Sequence, residues 1–170
     1  MVNAGEATEA GSGKVFDRLL ELLSSGRARF RVLEHPAEGR SDAVARIRGT
    51  EPGQGAKAML CTVTPRSGKL VLAVLRGPDR LDFRRVAAAT GARKASLASP
   101  EAAMAATGCV MGAVPPFSFW HDIAVVADRA LIRENAEIAF NAGRLDRSIV
   151  MSVEDYVRLA QPEVVAIRAE

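Results

Sequence analysis

The chain has 170 residues, of which 48% are hydrophobic and 25% are charged, and its formal net charge is +3 at pH 7. This composition supports one folded domain with a hydrophobic core, and it excludes a disordered chain, a collagen-like chain and a disulfide-stapled miniprotein. The small charge, with only six Phe, one Trp and one Tyr, argues against coating of duplex nucleic acid or stacking of many bases, but it permits a local contact with a phosphate chain.

Residues 1–13 have no apolar run and contain two glutamates. They are therefore not a secretory signal, and we expect a short flexible tail ahead of one domain at residues 14–170. No stretch approaches the roughly 20 apolar residues that cross a bilayer, so no membrane association is expected. Cys61 and Cys109 belong to no CxxC pair, which argues against a disulfide framework or a structural zinc site and fits a reducing cytoplasm.

Hydrophobic spacing and chain breakers predict the elements of the first half of the chain. They are, in order, a helix over 15–23 that ends at Gly26, a strand over 30–33, a helix capped by Ser41 with Val44 and Ile47 on one face, a loop over 49–57, and strands over 58–64 and 70–75 that a hairpin-like turn at 65–68 joins.

The second half is predicted in the same way. Its elements are a helix over 83–90 that ends at Gly91, a helix capped by Ser99 that ends at Gly108, an irregular segment over 112–117, strands over 123–127, 137–140 and 148–151, a helix capped by Ser152, and a strand over 164–167. Helices and strands interleave irregularly, without a repeat. The expected fold is therefore a single α/β domain with a mixed, mostly antiparallel sheet flanked by helices.

The segment GQGAK at residues 53–57 is the first candidate site. Glycines let backbone N–H groups approach an anion, but Ala58 follows Lys57 where a phosphate loop has the hydroxyl that holds magnesium, so a nucleotide triphosphatase is not expected. Two interpretations stay open. Lys57 lies either in solvent at the edge of a strand or in a cleft, which the small residues beside it favour.

The segment GAVPPF is the second candidate site. Its prolines fix the backbone, and its glycine allows a close approach to a ligand. Such a stiff loop can present backbone groups to a small substrate without a large ordering cost, but composition alone favours a rigid connector. Its residues are Gly112, Ala113, Val114, Pro115, Pro116 and Phe117.

Imidazole, thiol and amide groups are weaker candidates. A nucleophilic pair of Cys109 and His121 is conceivable, but no local signature supports it. His35 lines a pocket or only bonds the backbone. The segment FNAG, with Asn141 and Gly143, is ordinary turn chemistry or the mouth of a cleft. Two histidines and no HExxH pattern argue against a catalytic metal, and no cofactor is expected.

Arginines are the remaining candidates. Most are expected on a solvated face, while a few could grip phosphates. They include Arg27, Arg29, Arg31, Arg46, Arg48, Arg84, Arg85 and Arg93.

In their order and spacing these segments resemble the YbaK/ProX family, the free-standing relatives of the editing insertion of bacterial prolyl-tRNA synthetase. The resemblance runs from about Lys14 to the C-terminus, and it is carried by EHP at 34–36, GAKAML around Lys57, TGCVMGAVPPFSF at 107–119 and FNAG. The segments RGTEPGQGAKAMLC and EIAFNAGRLDRS are similar to the YeaK-type subgroup of deacylases for tRNA charged with Ser, Thr or similar small residues. Ser118 departs from the glycine of many relatives, and FNAG departs from the usual small residue before Ala-Gly.

The resemblance implies the editing-domain fold and a cytoplasmic trans-editing hydrolase for mischarged Ser-, Thr- or Ala-tRNA. Lys57 matches the family lysine and would anchor the terminal adenosine or the ester and stabilise developing negative charge. The family's GxxxP loop matches Gly112 to Pro116 and would hold the aminoacyl group. The substrate's ribose hydroxyl would help to activate water. The implied partners are the aminoacylated 3′ end of tRNA and an aminoacyl-tRNA synthetase, and His35, Asn141 and Gly143 are expected in the pocket.

Two rival functions remain open. A non-catalytic module would bind tRNA or a synthetase without loss of the ester. An esterase that depends on Cys109 would be inactivated by thiol alkylation.

Overall fold

The computed structural model describes residues 4–64, 69–120 and 122–170. In this part of the chain short helices alternate with strands, as expected of an α/β domain. The helices are α1 (Ala4–Ser25), α2 (Ser41–Arg48), α3 (Phe83–Thr90), α4 (Pro100–Thr107), α5 (Arg129–Arg133) and α6 (Val153–Ala160). The strands are β1 (Phe30–Glu34), β2 (Ala56–Thr64), β3 (Lys69–Arg76), β4 (Lys94–Leu97), β5 (Ala124–Asp128), β6 (Glu137–Asn141), β7 (Arg147–Ser152) and β8 (Glu163–Val165).

The strands form two sheets, whereas the sequence predicts a single sheet. The smaller sheet has the order β1-β7-β6, and the larger has the order β4-β2-β3-β5-β8. All pairs in the smaller sheet are antiparallel, and in the larger sheet only the β3–β5 and β5–β8 pairs are parallel. The mixed, mostly antiparallel character is confirmed, and the division into two sheets is a correction. A parallel bridge between Gly55 and Ala139 connects the sheets.

The larger sheet is covered on both faces, because successive side chains of a strand point to opposite sides. In β3, Leu72 and Val74 join a core shared with the smaller sheet and with Leu19 of α1. Val71 and Ala73, from the alternate positions, join a second core with residues of α3. A strand that is apolar at every position is typical of this arrangement, since neither of its faces meets water.

The helix starts differ from the prediction in two places. Helix α1 begins at Ala4, so its helical backbone includes residues 4–13, which the sequence predicts as a flexible tail. Ser41 is the first residue of α2 rather than its cap, and Arg40, which precedes it, makes no side-chain capping bond. Ile47 is 44% exposed and does not share the buried face of Val44. None of the described helices is long and apolar enough to span a bilayer.

Most other boundaries follow the predicted caps. Ser99 and Ser152 accept hydrogen bonds from the first turns of α4 and α6. The sequence misses β4, because Ala95 is its one buried residue and it shows no hydrophobic alternation. It also misses α5, which has five residues, although Asp128 caps it by accepting from the N–H of Ala130. The turn predicted at 65–68 lies outside the described residues.

Candidate active site

A cavity of about 60 Å³ lies where the two sheets meet. Helix α2, the start of β2, the end of β6 and the segment after α4 contribute to its walls. Of the residues predicted for the site, the cavity is lined by Lys57, Gly112, Val114 and Asn141. Two sequence segments that are more than 50 residues apart, GQGAK and GAVPPF, therefore meet at one cavity.

Lys57 is the second residue of β2. The sequence instead predicts it at the end of a loop. Its ammonium Nζ donates to the backbone oxygen of Gly77, at 3.1 Å, and to that of Asp79. An ammonium has three N–H donors, so one remains for a ligand in the cavity. Partial burial lowers the pKa of Lys57, and the charge of Asp79 opposes that shift. Lys57 is thus held in place by two carbonyl groups at the cavity wall.

The segment at 112–117 is irregular, as predicted, and three of its carbonyl groups are bonded to the protein. The oxygen of Gly112 accepts from Asn141 Nδ2 at 3.0 Å, that of Ala113 accepts from the N–H of Gly143 at 2.9 Å, and that of Pro116 accepts from the hydroxyl of Tyr156 at 2.9 Å. These bonds fix the loop from behind. Gly143 therefore supports the loop and does not line the cavity.

The backbone N–H groups of the same loop make fewer hydrogen bonds within the protein than its carbonyl groups do. The N–H of Ala113 donates to the oxygen of Val110, and the two prolines have none. Among the described residues, the N–H groups of Gly112 and Val114 have no acceptor. Both residues line the cavity, so their N–H groups are candidate donors to a substrate oxygen.

Gly112 touches a second loop through backbone atoms. Its φ is +86°, and a Cβ built on it would lie 2.9 Å from the Cα and the oxygen of Gly39. Any larger residue would therefore be both strained and in contact with backbone that cannot rotate away. The glycine requirement at this position is explained by close packing of two loops.

The other loop residues lie behind the cavity wall. Phe117 is 1% exposed, and its ring packs against Phe140 and Tyr156 with centroids 5.8 and 5.2 Å away. Ala113 and Pro116 are also buried. Pro115, which is buried as well, is not among the cavity-lining residues. These four predicted substrate contacts therefore shape the loop without reaching the cavity.

Asn141 is 5% exposed and joins both loops. Its Nδ2 donates to the oxygens of Glu38 and Gly112, at 2.9 and 3.0 Å. Its Oδ1 accepts from Arg48 Nη2 at 3.0 Å and from Ser148 Oγ at 3.1 Å. All four bonds agree with one orientation of the amide. Asn141, which the sequence places at the mouth of a cleft, thus lies in the cavity wall and connects the two loops through a fully hydrogen-bonded amide.

His35 reaches the same group of side chains from behind the cavity. Its Nδ1 lies 2.8 Å from the oxygen of Pro36, and its Nε2 lies 2.7 Å from Ser148 Oγ. A carbonyl only accepts, so Nδ1 carries a proton. Ser148 Oγ has a single proton, and both His35 Nε2 and Asn141 Oδ1 lie within hydrogen-bond distance of that hydroxyl, so the two acceptors share one donor. Arg48 Nε donates to the same hydroxyl at 2.8 Å. His35 positions Ser148 and does not line the cavity.

Arg48 is a cavity residue that the sequence does not single out. It lines the cavity at the end of α2, whereas the sequence includes it only in a set of arginines. Burial lowers the pKa of its guanidinium to about 10. The signal available in the sequence is its place between the apolar Val44 face of α2 and Gly49, which sets it on the buried side of a helix end.

The cysteines do not contribute to the cavity. Cys61 and Cys109 are both fully buried, and burial raises the pKa of each thiol to about 11. Cys109 bonds weakly to the oxygen of Thr107 at 3.6 Å. Cys61 is a core residue, as predicted. His121, the proposed partner of Cys109, lies outside the described residues, and among the described residues no group of three potential metal ligands occurs.

Comparison with known proteins shows which family the chain resembles in sequence. Residues 35–159 match the sequence model of the aminoacyl-tRNA editing domain. The chain is 47% identical over 163 residues to the "Multifunctional Ser/Thr-tRNA deacylase ProXp-y" of Escherichia coli K12, covering 95% of this chain and 98% of that protein.

Solved structures share the fold at lower identity. The hypothetical protein APE2540 superposes with a TM-score of 0.81 at 20% identity, covering 89% of this chain and 99% of its own. A proposed trans-editing enzyme for prolyl tRNA synthetase superposes with a TM-score of 0.78 at 22% identity, covering 92% and 98%. The fold of this chain is thus shared with solved structures of low sequence identity. The chain belongs to the aminoacyl-tRNA editing domain family.

Proposed function

We propose that the protein is a trans-editing hydrolase that removes serine or threonine, and secondarily alanine, from mischarged tRNA. The observation that carries this proposal is that Lys57 lines one cavity with Gly112 and Val114, two loop residues whose N–H groups have no acceptor among the described residues. The similarity to the E. coli Ser/Thr-tRNA deacylase over nearly the whole chain supports the choice of substrate.

The chemistry is ester hydrolysis. The oxygen of water bonds to the ester carbonyl carbon, the carbonyl oxygen gains negative charge, and the bond to the ribose oxygen breaks as that oxygen takes a proton. The products are a free amino acid and tRNA with a free hydroxyl. The third N–H of Lys57 and the two loop amides would stabilise the charged oxygen, because preorganised donors act most strongly where water is excluded.

General acid–base groups are scarce in the cavity. Among the described residues that line it there is no Asp, Glu, His or Cys. This favours help from the substrate's own ribose hydroxyl in activating water, with the protein acting by positioning and electrostatics. The small volume favours short aminoacyl groups, whose side chains differ by one or two atoms and one hydrogen bond.

A panel of tRNAs charged with Ser, Thr, Ala or a larger amino acid tests the proposal. Wild-type protein should release Ser and Thr fastest. Lys57→Ala should lower kcat/KM by about 100-fold or more, as expected for loss of a donor to a developing charge. Lys94→Ala removes an exposed lysine from the neighbouring strand β4 and should leave the rate unchanged. Full activity of Lys57→Ala would overturn the site assignment.

The lack of acid–base groups also favours a second candidate, a non-catalytic module that binds charged tRNA or a synthetase. It predicts tRNA binding that weakens with salt and no loss of the ester, so the same panel, read by binding and by hydrolysis, separates the two. We place the deacylase in the cytoplasm, where charged tRNA is used, and association with a synthetase is tested by co-purification of the two proteins.

A further inference from the structure

Arg48 differs from other arginines of the chain in its partners. Arg76, for example, makes a two-pronged ion pair with Asp79. Arg48 instead bonds to two neutral oxygens, Ser148 Oγ through Nε and Asn141 Oδ1 through Nη2. Among the described residues no carboxylate lies within ion-pair distance of it. The guanidinium is therefore a partly buried positive charge without a counter-charge.

The two neutral bonds also orient Arg48. A guanidinium has five N–H donors, and Arg48 uses the one on Nε and one of two on Nη2. Both donors of Nη1 have no acceptor among the described residues. Since Arg48 lines the cavity that contains Lys57, these unused donors are available at the wall of the candidate active site.

A buried charge without a partner is costly, unless a ligand supplies the opposite charge. The aminoacyl end of a charged tRNA offers few candidates. Its amino group is positive and its ester is neutral before reaction, so its permanent negative charges are those of the phosphodiester backbone. A planar guanidinium with two free donors suits a phosphate, which has two accepting oxygens.

We propose that Arg48 is a substrate-binding residue that holds the phosphodiester next to the terminal nucleotide of the tRNA. Ser148 and Asn141 keep its guanidinium in the required plane. Lys57 and the loop amides are left to act on the ester. This assignment rests on the proposed function for its substrate, and it divides the cations of the cavity into one that binds and one that assists the reaction.

Two substrates and two variants test this division. The substrates are Ser-tRNA and seryl-adenosine without a phosphate, and the variants are Arg48→Gln and Arg48→Lys. Arg48→Gln should raise KM for Ser-tRNA by about 10- to 100-fold, as expected for a lost bond to a charged group, and kcat should fall by a smaller factor. Its rate with seryl-adenosine, which has no phosphate, should fall much less than its rate with Ser-tRNA. Arg46→Gln, a change at an exposed position of the same helix, is the matched control.

Binding of uncharged tRNA provides a second readout that a merely structural role would not move. The slope of log affinity against log salt should decrease by about 0.7 in Arg48→Gln, the value for one phosphate contact on a single strand, and Arg48→Lys should restore most of it. Equal losses with both substrates, or an unchanged salt slope, would overturn the proposal. If wild type hydrolyses no charged tRNA but the slope still falls, the deacylase proposal fails while phosphate binding by Arg48 stands.

Discussion

The cavity has two walls that are held together by different interactions. On one side, the wall that we call neutral, because all its hydrogen-bond acceptors are uncharged groups, joins the cation Arg48 to Ser148, Asn141 and His35. On the other side is the ion-paired wall, in which Lys57 donates to the loop at residues 77–79. In that loop the carboxylate of Asp79 accepts two hydrogen bonds from Arg76 and lies 3.5 Å from Arg168 Nη1.

The difference determines what each wall tolerates. In the neutral wall the side chains are joined by directional hydrogen bonds, so a single change of hydrogen-bonding type leaves a buried group unpaired. Ion pairs depend less on direction, and their strength decreases with salt and with protonation of the carboxylate. The neutral wall should therefore be sensitive to substitution, and the ion-paired wall to solution conditions. The three predictions that follow test this contrast.

Gly112→Ala should have the largest effect, because it breaks the packing of Gly112 against Gly39, next to the bond that Asn141 of the neutral wall donates to Gly112. The new Cβ would meet backbone atoms of Gly39 at 2.9 Å, at a φ of +86°. We expect a loss of about 2 to 3 kcal/mol in the free energy of unfolding, measured with denaturant, and little remaining deacylation. Gly49→Ala is the control, since φ is +70° but nothing lies within 4 Å. It should cost about 1 kcal/mol, and equal losses in both variants would contradict the packing argument.

Asn141→Asp should have the next largest effect. A carboxylate cannot donate, so the oxygens of Glu38 and Gly112 lose their partner, while Arg48 gains a counter-charge. We expect the free energy of unfolding to fall by about 1 to 2 kcal/mol and kcat to fall by about tenfold, as the loop loses its support. The salt slope of tRNA binding should decrease as well. Unchanged kcat would show that Asn141 does not position the loop.

Asp79→Asn should have the smallest effect and the clearest dependence on conditions. The hydrogen bond from Arg76 holds the pKa of Asp79 below its ordinary value of 3.8. The carboxylate therefore stabilises the fold above that pH, and this contribution is lost as the pH falls below it. We expect a loss of about 1 kcal/mol at neutral pH, which shrinks in acid and in high salt. A difference between variant and wild type that is independent of pH and salt would contradict the ion-pair description.

The sequence predicts the parts of this molecule that depend on local signals. Caps at Ser99 and Ser152, the hairpin strands and the irregular GAVPPF segment need only neighbouring residues. The resemblance to a family makes Lys57 a candidate site residue, and the structure places it at the cavity. The division into two sheets could not be predicted, because strands of both sheets show the same apolar pattern and differ only in their partners. The neutral wall could not be predicted from the sequence either, because Ser148 contacts Arg48 and His35, which lie 100 and 113 residues away in the chain.

The contact between Gly112 and Gly39 has a consequence for any redesign of the pocket. Two backbone segments meet there without side chains between them. No side chain at this border of the cavity can therefore be shortened to increase its volume. Enlarging the cavity would require shortening other lining residues, such as Val44 or Phe140, or rebuilding one of the loops. The width of the cavity at this border is therefore set by the backbone path.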